Sequence, residues 1–277
     1  NMSEHLRTQP NTPRLDVGEI VKKIGTSPDY IKARNVVERD ATPEARRRPA
    51  AIRMAAVALR GKEEGSYFTL EEHALNLTAH LTTIESDLEQ LDRLRGRRAT
   101  RREKLPYLEK VTAFNHALKE MIDSNPRLGF NEVVSFLRNM NQQIHGRHND
   151  RHFEHEIRGV LEGMRHEIAA EQIIGQLENV DVDHVSIEED LDGGDLMVSV
   201  DNSPWTPIDI KASYLTAERA KQKARDTGHD DSGIIWSQLN DEDFNGGFRI
   251  SYDKAAEKAP LLEAALRRAT RTESIAV

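Results

Sequence analysis

Two short strand-like segments and an alternating third segment, separated by turns, constrain the fold of this 277-residue chain most. Residues 182–187 and 195–200 carry several β-branched side chains, and the Asp-Leu-Asp-Gly-Gly turn at 190–194 tolerates the backbone angles of a hairpin. After a second turn, residues 206–213 alternate polar and apolar side chains. We therefore expect an antiparallel hairpin followed by a third strand, because a period of two is typical of strands.

The third strand carries an acid and a base close together. Side chains two positions apart in a strand share a face, so Asp209 and Lys211 lie on one face, with Ile208 and Ile210 on the other. Asp195 begins the second strand of the hairpin. Hard divalent cations such as Mg²⁺ or Mn²⁺ bind carboxylate oxygens, which Asp195 and Asp209 could supply. Lys211 could then orient or deprotonate a water molecule that attacks a phosphate.

These residues resemble the PD-(D/E)xK nuclease superfamily. The resemblance rests on Asp195, on Asp209-Ile210-Lys211 one strand and one turn later, and on a preceding helix that bears glutamates. It covers roughly residues 153–252, and Gly194 stands where the motif usually has proline. The resemblance implies a restriction-endonuclease-like core of helix, three-stranded meander, helix and strand. It also implies a metal held by Asp195, Asp209, the Ile210 main-chain carbonyl and a glutamate of the helix.

The helix predicted over residues 153–178 offers two candidates for that glutamate. Its apolar stripe consists of Ile157, Val160, Leu161, Met164 and Ile168. At 100° per residue, Glu171 projects from the middle of the stripe and Glu167 lies near its edge. A carboxylate on an apolar face is costly to bury without a partner. Glu171 is therefore the first choice and Glu167 the second, unless the stripe rotates after Ile168 and leaves both glutamates solvated.

Residues 70–122 have the pattern of a long antiparallel helical hairpin that resembles a coiled coil. The first apolar stripe, at alternating spacings of four and three, consists of Leu70, Ala74, Leu77, Leu81, Ile84, Leu88 and Leu91. The second stripe consists of Leu105, Leu108, Val111, Phe114, Leu118 and Ile122. Because a heptad seam must be covered, we expect the two helices to cover each other or two chains to pair as a homodimer.

A cationic segment separates the two stripes. Its candidate nucleic-acid-binding residues are Arg97, Arg98, Arg101 and Arg102. Because arginine forks bind phosphate, the tip of the hairpin could follow a nucleic-acid backbone; the alternative is that these arginines only keep the turn soluble. Further candidates are Ser213, on the same strand face as Lys211, and Lys221 and Lys223 of a helix predicted at 214–225. Those two lysines could equally form a solvated helix face.

The remaining patterns complete the outline. Four histidines have a spacing that would allow a zinc or nickel site on a helix, namely His145, His148, His152 and His155. Gly146 disfavours a helix there, so we favour a polar linker between two domains. Short helices are predicted within residues 17–59, strands at 233–239 and 248–252, and a closing helix at 255–270. Trp236 is expected to belong to the core rather than to stack on a base.

Composition limits the class of protein. The net charge is -8, but residues 1–146 carry 24 Lys and Arg against 20 Asp and Glu, whereas residues 147–277 carry 15 against 27. Positive surface for a nucleic acid is therefore expected mainly from the N-terminal half. The chain has no cysteine, which excludes disulfides and thiolate zinc sites. No apolar run approaches membrane-spanning length and no signal-peptide core is present, so we expect a cytoplasmic protein.

Together these patterns predict an α+β protein of two domains. Residues 1–146 would be all-α with the hairpin, and residues 147–277 would be the nuclease-like α/β domain. The predicted function is metal-dependent hydrolysis of phosphodiester bonds, with DNA favoured over RNA, as in restriction, defence, repair or toxin nucleases. An inactive nuclease-like fold serving as a helical scaffold or nucleic-acid-binding module is the alternative, since an Asp-x-Lys pair is often only a solvated ion pair. The third hypothesis is a metal enzyme that uses the four histidines at positions 145–155.

Overall fold

The computed structural model describes residues 69–97, 99–145, 150–185 and 194–271. The helices predicted within residues 17–59, Arg98, His148 and most of the turn at 190–194 lie outside these ranges. The described residues combine helices with a mixed four-stranded sheet, which confirms the predicted α+β class. Within them, no helix has the length and apolarity needed to cross a membrane.

Two long helices, α1 (Leu70–Arg95) and α2 (Arg101–Ser124), form the predicted helical hairpin. Five residues of the predicted seam are buried, Ala74, Leu77, Leu81, Ile84 and Leu91, while Leu70 and Leu88 are partly buried at its edge. The seam is thus covered within one chain by α2 and its neighbours. The N-terminus of α2 is closed by a capping box, in which the Thr100 N–H donates to Glu103 Oε2 (2.7 Å) and the Glu103 N–H donates to Thr100 Oγ1 (3.4 Å).

The helices α3 (Phe130–His145) and α4 (Asp150–Ile174) complete the helical part. The α4 side chains Phe153, Ile157, Leu161, Met164 and Ile168 belong to the hydrophobic cluster formed with α1, α2 and α3. From Ala169 onward, α4 belongs to a second cluster, formed with the sheet. One helix therefore joins the two hydrophobic cores, and the predicted domain division at residues 146 and 147 stays a prediction.

The sheet has the strand order β1 (Val180–His184), β2 (Leu196–Val200), β3 (Thr206–Lys211) and β4 (Ile234–Trp236). The first three strands are antiparallel neighbours, and β4 is parallel to β3 after the crossover helix α5 (Tyr214–Asp226). One face of the sheet is buried against α4 and the closing helix α6 (Tyr252–Arg271) through the side chains of Leu196, Val198, Val200, Ile208 and Ile210.

The strand predicted at residues 248–252 is wrong. Phe248 and Ile250 are buried, which reproduces the alternating pattern of a strand, but the only ladder contact described nearby is an isolated bridge between Gly129 and Gly247. The main chain of Ile250 is satisfied instead by the side chain of Gln172, whose Nε2 donates to the Ile250 carbonyl (2.7 Å) and whose Oε1 accepts from the Ile250 N–H (3.2 Å). A side-chain amide thus replaces a neighbouring strand.

Candidate active site

Asp195 is fixed at the entrance of β2 by the main chain of β3. Its N–H donates to the Ile208 carbonyl at 2.8 Å, and its Oδ2 accepts from the Ile210 N–H at 2.6 Å. The carboxylate therefore occupies the place of the next main-chain acceptor in the ladder. Because residues 208 and 210 present their peptide groups to the same edge of the strand, the Ile210 carbonyl is directed toward Asp195 as well.

Asp209 and Lys211 lie side by side on β3, as the period of two predicts. Ile208 and Ile210 are buried on the opposite face, whereas the side chains of Asp209 and Lys211 are 17% and 31% exposed. Lys211 Nζ donates a short hydrogen bond to Asp209 Oδ1. The acid and the base are therefore in direct contact and both remain accessible to solvent.

The protonation of Asp195 is strongly perturbed. Its pKa is raised well above the usual value, first by burial and then by the negative charges of Glu167 and Asp209 and by a hydrogen bond with Asp209. The ammonium of Lys211 offsets only part of this effect. Burial alone would lower the pKa of Lys211, but Asp209, Asp195 and Glu167 raise it. The charges of three carboxylates from three elements thus act on one cation, and Asp209 contacts it directly.

The structure brings Glu167 to this group and places Glu171 elsewhere. Glu171 Oε2 lies 3.0 Å from Lys119 Nζ, and Asp123 Oδ2 lies at the same distance from that nitrogen. Glu171 does continue the apolar stripe of α4, but the stripe packs into the helical cluster rather than against the sheet. Glu167 lies one turn before Glu171, about 40° away around α4, and its charge acts on Asp195. Three residues after Glu167, Ala170 packs in the cluster of the sheet. Glu171, the first choice for the metal, is thus paired with Lys119 of the helical part.

The chemistry of the donors fits a hard divalent cation. Asp195, Asp209 and Glu167 supply carboxylate oxygens, the Ile210 carbonyl supplies another oxygen, and Mg²⁺ prefers such ligands. The raised pKa of Asp195 indicates carboxylates whose mutual repulsion a bound cation would relieve. In the described ranges, no three His, Cys, Asp or Glu side chains already surround a common point at metal-binding distances. Binding would therefore need rotation of side chains, beginning with the Asp209 carboxylate that Lys211 now contacts.

The candidate nucleic-acid-binding residues lie at the surface. Arg97, Arg101 and Arg102 are exposed at the tip of the hairpin. Lys223 is exposed on α5, and Lys221 Nζ lies 3.8 Å from Glu218 Oε1. Exposure at the surface permits the proposed contacts with phosphate but does not test them, so these contacts stay predictions.

Ser213 has a local structural role in addition to any contact with a phosphate. Its Oγ accepts from the Thr216 N–H at 3.2 Å, and its own N–H donates to Thr216 Oγ1 at 3.2 Å, which caps the N-terminus of α5.

Of the four histidines proposed for a metal site, the structure describes only the side chain of His155, which is exposed on α4.

A buried polar network behind the site was missed by the sequence analysis. His166 is 2% exposed, and its Nδ1 lies 2.7 Å from Ser237 Oγ, while its Nε2 lies 3.3 Å from Glu162 Oε1. The Ser237 N–H donates to the Lys211 carbonyl at 3.1 Å. Burial is the largest effect on the pKa of His166 and lowers it. The network therefore links α4 to the end of β3, where Lys211 lies.

Comparisons of the chain with known protein families, with curated proteins and with solved structures find no match in any of the three. An assignment of the site therefore depends on its geometry. The geometry in question is the convergence of Asp195, Asp209, Lys211 and Glu167 from α4, the start of β2 and β3.

Proposed function

We propose that this chain is a metal-dependent nuclease that hydrolyses phosphodiester bonds of nucleic acid. The observation that carries the proposal is the meeting of three carboxylates and one lysine, with Asp195 held by the backbone of the strand that bears Asp209 and Lys211. The element order supports it, because helix α4, the antiparallel meander β1 to β3, helix α5 and the parallel strand β4 match the order that the PD-(D/E)xK resemblance implies.

The residues divide into two roles. Asp195 and Asp209 would hold Mg²⁺ or Mn²⁺, with the Ile210 carbonyl and Glu167 beside them. When bound, such an ion supplies a positive centre that stabilises charge on the phosphate. The Ile210 N–H fixes the orientation of Asp195. The Asp195 carboxylate therefore need not be ordered at the moment of binding, which lowers the cost of assembling the site.

Lys211 acts as a cation in this proposal. Its raised pKa keeps the amine protonated at neutral pH, so it donates hydrogen bonds rather than accepting the proton of water. From its position beside Asp209, the ammonium would orient the attacking water and offset charge that develops on the phosphate. The reaction joins the water oxygen to phosphorus and breaks the bond between phosphorus and the leaving oxygen. The attacking water gives up a proton to solvent, and the leaving oxygen takes one up from solvent.

Cleavage assays test the proposal. Purified protein would be incubated with plasmid, single-stranded DNA and RNA, with Mg²⁺, with Mn²⁺ or with a chelator. We expect metal-dependent cleavage that falls by at least about 100-fold in Asp209→Asn and in Lys211→Ala, because each change removes a charged group next to the phosphate. Asp181→Asn is the matched control, since Asp181 is an exposed carboxylate on β1.

Two outcomes would overturn the proposal. Cleavage that persists in both variants would mean that the activity belongs to another site. Absence of cleavage for every substrate and metal would favour the alternative of a non-catalytic scaffold or nucleic-acid-binding module.

A further inference from the structure

A cavity of about 440 Å³ lies along the outer edge of β4, between α5 and α6. Two aromatic side chains, Tyr214 and Trp236, line it together with the apolar side chain of Ile234. Their rings meet edge to face, with centroids 5.9 Å apart and an interplanar angle of 71°. Tyr214 is 58% exposed, so this arrangement leaves aromatic surface open to a ligand. Trp236, expected in the core, is half-buried instead.

The register of the sheet places this aromatic pair beside the candidate active site. Trp236 of β4 is paired directly with Lys211 of β3, and Ile234 is paired with Asp209. Directly paired residues in neighbouring strands project from the same face about 5 Å apart. Tyr214 follows Lys211 by three residues, after the Ser213 cap. The cavity therefore begins one side chain away from the lysine that would orient the attacking water.

The charges around the cavity suit a nucleic-acid strand. Lys221, Arg225 and Arg268 line it, against the carboxylates of Glu218 and Asp231. Arg225 Nη1 contacts Asp231 Oδ2 at 2.9 Å, and Lys221 is farther from its acidic neighbour. Among the described residues, the rim of the cavity thus carries three cations and two anions. A flat aromatic ligand that carries a phosphate would meet both the rings and this rim.

We propose that the cavity binds an unpaired nucleobase of the strand whose phosphodiester is cleaved. A base within a duplex is already stacked on its neighbours, so only a single-stranded or extruded base can present its face to Tyr214 or to Trp236. This inference rests on the proposed nuclease function and narrows its substrate to strands with at least one unpaired nucleotide next to the cleaved bond.

Intrinsic fluorescence tests the base site directly, because the chain has only two tryptophans. Trp205→Phe leaves Trp236 as the single tryptophan. This protein would be titrated in a chelator, so that metal-dependent cleavage does not occur. The ligands are DNA oligothymidylate and an abasic DNA oligomer of the same length, and the titrations are repeated with the RNA counterparts of both. We expect saturable quenching by the base-containing strands and none by the abasic strand, whose affinity should be about tenfold lower or weaker still.

Tyr214→Ala provides a second test of the base site, by its effect on affinity. It should weaken binding of oligothymidylate about tenfold and leave binding of the abasic strand unchanged. Leu215→Ala is the matched control, because Leu215 is 64% exposed on the same helix and does not line the cavity. Equal affinities for the two strands, without quenching, would overturn the base site. Quenching by the base-containing strand without any cleavage by the wild type would support the base site and reject the nuclease function. Cleavage with equal affinity for the base-containing and abasic strands would support the nuclease function and reject the base site.

Discussion

At Asp195, burial and two neighbouring carboxylates act in the same direction on one proton. The raised pKa means that the folded protein keeps this proton at pH values at which the unfolded chain has lost it. The free energy of unfolding should therefore fall as pH rises from about 3.9, the usual value for Asp, through the raised pKa. A bound divalent cation would reverse this cost, because it stabilises the ionised carboxylate.

Asp195→Asn tests this coupling between charge and stability. The amide oxygen can still accept from the Ile210 N–H, while the negative charge is gone. In a chelator, we expect the variant to be more stable than the wild type at neutral pH and to lose that advantage below about pH 4. Urea denaturation across this pH range measures the difference, and added Mg²⁺ should stabilise the wild type alone. Parallel pH profiles of the two proteins would contradict the assigned repulsion.

At the scale of single elements, α5 shows how one residue can be assigned two roles. Ser213 was singled out as a phosphate contact, and its hydroxyl caps the helix. The two roles make different demands on the side chain. A cap needs an oxygen acceptor of any charge, whereas a phosphate contact is weakened by a negative charge.

Ser213→Ala and Ser213→Asp separate these roles. Ser213→Ala should lower the free energy of unfolding by about 1 kcal/mol, because it removes the cap. Ser213→Asp should retain most of the stability, because aspartate is an equally good cap. If Ser213 also contacts the substrate, Ser213→Asp should raise the KM of cleavage while Ser213→Ala changes it little. Equal stability of the wild type and both variants would show that the cap contributes nothing.

Periodicity within an element was readable from the sequence. The period of two placed Asp209 and Lys211 on one face, and the heptad spacing identified the buried seam of α1. Both follow from local geometry, because the backbone of one element fixes which side chains share a face. The Thr100 capping box is likewise visible in the sequence as Thr-x-x-Glu.

Contacts between elements were not readable in the same way. Choosing between Glu167 and Glu171 requires knowing that the apolar stripe of α4 packs on helices, which no local pattern states. The contact of His166 with Ser237 joins residues 71 positions apart, and Gln172 clamps a segment that only looks like a strand. These features depend on tertiary packing, which a single sequence encodes only through many weak interactions acting together.

At the scale of the whole molecule, the negative charge of the C-terminal half makes the hairpin tip the main candidate for electrostatic attraction of nucleic acid. Arg97, Arg101 and Arg102 are exposed there. Each phosphate that a cation neutralises releases counterions, so its loss makes binding less sensitive to salt. The tip would thus contribute affinity without contributing to the cleavage step.

Charge reversal at the tip tests that division of roles. We expect Arg97→Glu, Arg101→Glu and Arg102→Glu together to weaken oligonucleotide binding and to reduce the slope of log affinity against log salt by up to about 3. Fluorescence anisotropy at several salt concentrations measures both quantities. Arg127→Glu is the control, since Arg127 is exposed in the turn at the other end of the hairpin. An unchanged salt slope in the triple variant would remove the tip from the binding surface.

If α4 and two strands assemble one hydrolytic centre, two glutamates one turn apart on α4 provide its most direct test. The negative charge of Glu167 helps to raise the pKa of Asp195, whereas Glu171 pairs with Lys119. The measurement is the single-turnover rate of metal-dependent cleavage of a short labelled DNA by Glu167→Gln and Glu171→Gln, each shown to be folded. If the centre is assembled as proposed, the rate should be lowered by about 10-fold or more in Glu167→Gln and should stay within about twofold of the wild type in Glu171→Gln. A rate that is unchanged in Glu167→Gln, or lowered only in Glu171→Gln, would contradict it.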